Sequence, residues 1–464
     1  MTSKRHPYFH PPKEAAVFAH IAGGLNGKTN GFVPAGMLEN LNADTPPTFT
    51  YGKRYIERKN AIEVDPRALP LINETGGIKR HVLPDLMEFG GIRDAAPDAW
   101  GRRVIENKLN VRTGVLPEIA YLLEAGSDRV GALDVRKTLQ DTENTPLNQE
   151  VELNRLLEVA DKIENNEPVP EHLFQYFNGL GSAGGARPKA TVRDENGILW
   201  LAKFPSKGDR ACNAVLEGGT LELARAIGLR VPPIKIQEVG DKRVLLIRRF
   251  DRYWAKPGFI LEAGEESWNR DPDHLSSNIV LEEGRIPFCS ALTLMGLSEH
   301  EARASSYDAI SQAIRAHGAI SFVARDVKEI FKRMVFNIFA NNNDDHLRNH
   351  AFIYDVAAKG WRLSPLYDVL PMNVIAQERY LHLEIGEYGR VATLDNALSR
   401  WPAFYSCRKE AVKAIQTIWL FMREWMPYFE NLNASELDMD YLKGAFRKLE
   451  DLASAELSKE IRNH

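Results

Sequence analysis

The pattern of apolar residues changes period near Pro287, and that change most restricts what the chain can fold into. Before it, short runs such as "ILWLAKF" and "RVLLIRRFDRYW" have strand character, with one helical pattern, "CNAVLEGGTLELARAIG", set among them. After it, helical spacing dominates in "AISQAIRAH", "VKEIFKRMVFNIFA", "RKEAVKAIQTIWLFMREW" and "DYLKGAFRKLEDLASAEL". A β-rich part followed by an α-rich part predicts an α+β protein with two lobes.

At 464 residues the chain exceeds what one core serves, so two or three domains are expected. The first 149 residues are mixed. "TPPTFTYGKRYI" alternates like a strand, "DAWGRRVIENKL" reads as a helix and "GSDRVGALDVR" as a turn feeding a strand. The polar stretch "QDTENTPLNQE" then marks a boundary, and "VELNRLLEVADKIE" resumes with helical spacing. The expected division is 1–149, 150–284 and 285–464.

Lys and Arg number 59 against 63 Asp and Glu, a balance without the electrostatic footprint of a nucleic-acid binder. The basic N-terminus lacks a signal peptide's apolar core, and no apolar run is long enough to span a bilayer, so a cytoplasmic protein with no membrane partner is expected. Cys212, Cys289 and Cys407 are too few and too scattered for a disulfide framework or a CxxC metal site, and read as packing residues.

"NGLGSAGGARPKATVRDENGILWLAKF" carries a G-x-G-x-x-G match at Gly179, Gly181 and Gly184, extended by Gly185. Such a loop can aim backbone N–H groups at phosphate, although many matches are plain turns. A dinucleotide fingerprint needs a helix next, and a Walker A loop needs Gly-Lys-Ser/Thr. Here the chain runs instead through "ATVR", an Asn196-Gly197 hairpin signal and a strand ending near Lys203. Protein kinases use that order: the loop covers the ATP phosphates and a strand lysine neutralises their charge. Such a lysine needs a carboxylate to fix its rotamer. Glu217 and Glu222 lie on the next helical pattern, and Glu217, the earlier of the two, is preferred.

"NNNDDHLRNH", Asn341 to His350, places Asp344 and Asn349 in D-x-x-x-x-N spacing. In kinases that spacing joins a carboxylate that orients the attacking hydroxyl to an amide that ligates magnesium. Two strand patterns, "AFIYD" and "WRLSPLYDV", then deliver Asp368 where a second magnesium ligand is expected. "LYDV" stands in place of D-F-G, and Asn342-Asn343-Asp344 in place of H-R-D, so this is not an ordinary eukaryotic-type kinase. His346 and His350 are four apart, but Leu347 excludes HExxH and no third zinc ligand is indicated. His346 is counted instead with the nucleotide-binding residues. Phe288 and Ala291 fall near the expected junction of the lobes, and the sequence leaves open whether they line an adenine pocket.

The segments "DAAPDAWGRRVIE", "GSAGGARPKA", "LAKF", "LARAIGLRVP", "RRFDR", "NNNDDHLRNHAFIYD" and "LSPLYDVLP" resemble the HipA-like serine/threonine kinases, toxins of bacterial toxin-antitoxin pairs. The resemblance implies a bilobal kinase-like fold: a β-rich small lobe with an extra N-terminal subdomain, and an all-α large lobe. It implies ATP and Mg2+ as cofactors. By position, Asp344 resembles the catalytic aspartate, Lys203 the ATP-binding lysine, and Asn349 and Asp368 the magnesium ligands. Gly181, Ser182, Ala183, Gly184 and Gly185 form the nucleotide loop, together with Glu217, His346 and Asn349 as further nucleotide-site residues. Ser182 resembles the serine that such kinases autophosphorylate, where a phosphoserine could not share the phosphate cradle with ATP. The implied partners are a HipB-like helix-turn-helix antitoxin, through which alone DNA would be reached, and a protein substrate, in known cases often an aminoacyl-tRNA synthetase. Two alternatives remain at this point: a catalytically silent pseudokinase acting as a co-repressor or binding module, and a small-molecule kinase.

Overall fold

The computed structural model describes residues 12–22, 31–39, 46–71, 80–82, 88–141, 148–149, 152–170, 172–173, 185–257, 259–269, 282–374, 376 and 378–463. It is an α+β protein whose strand pairs are antiparallel with one exception.

The first sheet is antiparallel, with the strand order Arg80–Val82, Thr48–Tyr51, Gly31–Glu39, Glu14–Ile21, Leu133–Arg136. It buries Val17, Val33, Phe49 and Val135 against Phe89, Ile92 and Ile119. The strand expected through "TPPTFTYGKRYI" ends at Tyr51; a helical turn, Lys53–Ile56, follows, because Tyr55 turns inward and its hydroxyl donates to Ile62 O at 2.6 Å.

The second sheet has the order Asn148–Gln149, Lys189–Arg193, Leu199–Lys203, Lys242–Arg248, Ile234–Val239, in which only the first pair is parallel. The hairpin expected at Asn196-Gly197 is present, with Gly197 at φ 80, a value that glycine adopts freely. One face packs on the amphipathic helix Leu153–Glu164 and on Trp100 and Val104 of the helix Ala99–Leu109. A helix from the N-terminal region thus completes the core of the sheet that carries Lys203.

The helix Asn213–Ala226 leaves this sheet and packs on the helical C-terminal body in one continuous core. Gly219 allows that contact: a Cβ there would lie 2.4 Å from the Phe429 ring. At the centre of the body is the helix Ile320–Ala340, whose last half is almost wholly buried.

Residues 285–464 are not all-α as expected. They also hold the antiparallel sheet Phe288–Ser290, Ala351–Asp355, Gly360–Leu363, which takes up the chain directly after the loop Asn341 to His350, while the long helix holds the loop's start. The single helical pattern read in "DYLKGAFRKLEDLASAEL" is three helices, Glu436–Ala445, Leu449–Leu452 and Ala455–Asn463. Phe446 breaks the first by turning extended to pack edge-on against Trp425 and Phe429. Cys289 is buried and Cys212 packs half-buried against the main core, as expected, but Cys407 is exposed. Among the described residues no helix is long and apolar enough to cross a membrane.

Candidate active site

Lys203 is the last residue of its strand, opposite Leu245 on one neighbour and Lys189 on the other. Its Nζ donates to Glu217 Oε1 and to Asp368 Oδ1, each at 2.7 Å. Glu217 sits early in the helix Asn213–Ala226, on the side facing the sheet. The sequence leaves Glu222 as an alternative; in the structure Glu222 pairs with Arg225 instead. Burial works against the charge of Lys203, but Asp368 and Glu217 outweigh it and hold its pKa above the usual lysine value. Burial would raise Asp368, yet Lys203 holds it below the ordinary carboxylate range. Burial raises Glu217, and Lys203 offsets this only in part because Asp368 adds a like charge. Asp368 has φ 57, in the left-handed region that aspartate tolerates better than most residues.

The polar loop of Asn341 to His350 is held by its own amides. Asn341 ends the long helix at φ 52, and its Nδ2 donates to Met372 O. Asn342 Nδ2 donates to Asn337 Oδ1 at 3.1 Å. The two consecutive carboxylates then face opposite ways. The Asp344 side chain is 77% exposed, whereas Asp345 is buried, accepting from the Tyr307 hydroxyl and, at 2.7 Å, from His382 N. Asp345 therefore anchors the loop that presents Asp344. Asn349 is buried, and its Nδ2 donates to Asp344 O at 2.8 Å, which leaves Oδ1 available as an acceptor. His346 Nε2 lies 4.0 Å from Asp344 Oδ1. His350 is buried edge-on against Tyr307, whereas the His346 ring meets His382, and no group of three or more His, Cys, Asp or Glu side chains placed to hold a metal occurs among the described residues.

Lys203, His346, Asn349 and Asp368 line one cleft, together with Gly185. Phe250, Phe288 and Tyr367 form an aromatic wall, with the Phe250 ring 5.7 Å from Tyr367 and 6.3 Å from Phe288. Ala291 is buried outside the lining. Gly181, Ser182, Ala183 and Gly184 lie outside the described residues; Gly185 has φ 117.

Two features of the cleft are missing from the sequence reading. Asp94 and Asp98, from the N-terminal region, line it as well. Asp98 Oδ2 accepts from Lys189 Nζ at 2.8 Å, and Asp94 accepts from Ser290 N at 2.6 Å. Below them lies a buried ionic cluster. Arg249 forks onto Asp251 at 2.9 and 2.6 Å and reaches Asp128 at 2.9 Å, while Asp251 also accepts from Gly131 N at 2.8 Å. "RRFDR" and "GSDRVGAL" supply the two halves of this knot, and no local signal in either segment announces the other.

Apart from Asp94, Ala96, Asp98 and Val130, the cleft lining lies within a region that comparison with known proteins also singles out. Residues 181–425 match the family model described as a HipA-like C-terminal domain. The chain is 26% identical over 171 residues to the kinase-designated protein Y4mE of Sinorhizobium fredii, a match of 37% of this chain and 34% of that relative's length. Its fold is similar to a chain of the Shewanella oneidensis MR-1 toxin-antitoxin complex of HipA, HipB and operator DNA. That match has a TM-score of 0.66 at 16% identity and covers 97% of this chain and 99% of that one. At that identity the likeness is one of fold. The family match extends over more than half of the 464 residues, and the chain belongs to the HipA-like family.

Proposed function

We propose that the chain is an ATP- and magnesium-dependent protein serine/threonine kinase. The observation that carries this reading is the bridging of Glu217 and Asp368 by the Lys203 ammonium at the wall of an aromatic-lined cleft. A buried lysine held charged by two carboxylates suits the recognition of phosphate oxygens. Phe250, Phe288 and Tyr367 in the cleft lining offer flat faces to a purine.

The donor set fits magnesium. Asn349 Oδ1 and Asp368 Oδ2 accept no hydrogen bond among the described residues, and both are hard oxygen donors. Magnesium takes few protein ligands when phosphate and water oxygens complete its shell. When bound, it neutralises phosphate charge. Asp344, exposed and 4.0 Å from His346 of the cleft lining, accepts or orients the proton of an incoming hydroxyl, and the Asn349 amide fixes the backbone that carries it. His346, between Asp344 and the cleft, adds a nucleotide contact.

In this reading Gly181, Ser182, Ala183, Gly184 and Gly185 cover the phosphates, and Ser182 is the autophosphorylated residue. Residues 1–149 form an N-terminal subdomain, 150–284 the small lobe with the glycine-rich loop, and 285–464 the large lobe with the catalytic loop. The acceptor is a protein, and a HipB-like helix-turn-helix antitoxin is the partner, as in the Shewanella complex. The compartment is the cytoplasm.

Lys203→Ala tests the site. Calorimetric titration with Mg-ATP should show affinity at least about tenfold weaker, the loss of one charged hydrogen bond. Unchanged affinity would remove Lys203 from the site and the kinase reading with it.

A further inference from the structure

The Lys203 strand faces a second buried lysine. Lys189 stands directly opposite Lys203 across the hairpin and is only 3% exposed. Its Nζ lies against Gly185, where an added Cβ would approach it to 2.9 Å, and donates to Asp98 Oδ2 at 2.8 Å.

Asp98 comes from another part of the chain and performs two tasks at once. Oδ1 caps the helix Ala99–Leu109 by accepting from Gly101 N at 2.7 Å. Oδ2 holds Lys189. The first turn of the same helix grips the same backbone. Trp100 N donates to Gly185 O at 3.3 Å, and Trp100 Nε1 donates to Lys189 O at 3.0 Å, with the indole fully buried. Three bonds from residues 98–100 therefore fix Gly185 and Lys189, which bracket the end of the glycine-rich stretch at the cleft wall. Because Gly185 has φ 117, a conformation open to few other residues, its backbone direction depends on such external holds.

We propose that Asp98, assisted by Trp100, is a positioning residue for the nucleotide site: the N-terminal region sets the Gly185–Lys189 backbone and so the phosphate end of the cleft. This rests on the kinase reading above. Asp98 acts through Gly185 and Lys189, so its loss affects nucleotide affinity more than the chemical step.

The test uses the full chain carrying Asp98→Asn, which keeps a capping oxygen and removes the charge facing Lys189. The KM for ATP should rise about tenfold, the loss of one charge-assisted hydrogen bond, with kcat within about twofold of wild type. Amide exchange over residues 185–193 should quicken. Trp100→Phe, which retains the ring and deletes the Nε1 bond, should act in the same direction with a smaller effect, and it decides the matter if Asp98→Asn does not fold. Wild-type KM and exchange in a folded variant would overturn the proposal. Lys203→Ala, measured alongside, separates the two ideas. If it loses ATP affinity while Asp98→Asn does not, only the positioning role fails; if neither does, the nucleotide site itself is wrong.

Discussion

Replacing Glu217 by Gln removes one charge from the Lys203 bridge while keeping the side-chain shape. Both contacts of Lys203 are 2.7 Å, and its side chain is 15% exposed against 8% for Glu217, so solvent screens the pair little. A charge-assisted hydrogen bond of this kind contributes about 1.5–3 kcal/mol. The larger penalty of about 3–5 kcal/mol for stranding a buried charge does not apply, because Asp368 still faces the lysine. An effect of about 2 kcal/mol corresponds to roughly 30-fold in kcat/KM for ATP. The ammonium is then drawn towards Asp368 alone, away from the position between the two carboxylates. A coupled assay of ATP turnover on a saturating acceptor measures the change, with Glu222→Gln as control, since Glu222 pairs with Arg225 and should leave turnover unaltered. A Glu217→Gln protein within twofold of wild type, or one no worse than Glu222→Gln, would refute the bridge as a working part of the site.

A further prediction concerns acid stability. Burial, then the charges of Arg285 and Arg252, lower His20 from 6.5 to about 3. Between those values the unfolded chain binds a proton that the folded chain refuses, so this group's contribution is intact above pH 6.5 and is lost as pH falls towards 3, up to roughly 5 kcal/mol. His20→Phe, which keeps an aromatic ring against Phe32, should flatten the loss of stability over that window in denaturant titrations. Equal slopes in the two proteins would show that His20 is not held neutral by the fold.

The site's polar residues were legible because they occur as short local patterns. Asp344 and Asn349 share one loop, Lys203 ends a strand marked by a hairpin signal, and Asp368 follows a second hairpin. Glu217 was preferred to Glu222 only for its earlier place in the helical pattern after Lys203, and it is the packed structure that separates the two. What escaped is carried by distant partners. Asp98 is recognisable as a helix cap, but its bond to Lys189 spans 91 positions, and nothing local to either residue announces the other. The Arg249 to Asp128 contact spans 121 positions and is equally silent in the sequence. The C-terminal helical pattern was misread as continuous for a related reason: burial of Phe446 against Trp425 and Phe429 overrides local helix preference. The three-stranded sheet around the loop was seen only as a hairpin, since Phe288–Ser290 joins it from more than sixty residues upstream.

The central claim is that this chain transfers phosphate through Asp344, and intact mass before and after Mg-ATP tests it most directly. Asp344 is suited to the comparison because its side chain is 77% exposed, so Asp344→Ala should fold as the wild type does. Wild type should gain the mass of a phosphate, mapped by peptide analysis to Ser182 in "GLGSAGGARPK", while Asp344→Ala gains none. Phosphate appearing on Asp344→Ala at the wild-type rate would contradict the account.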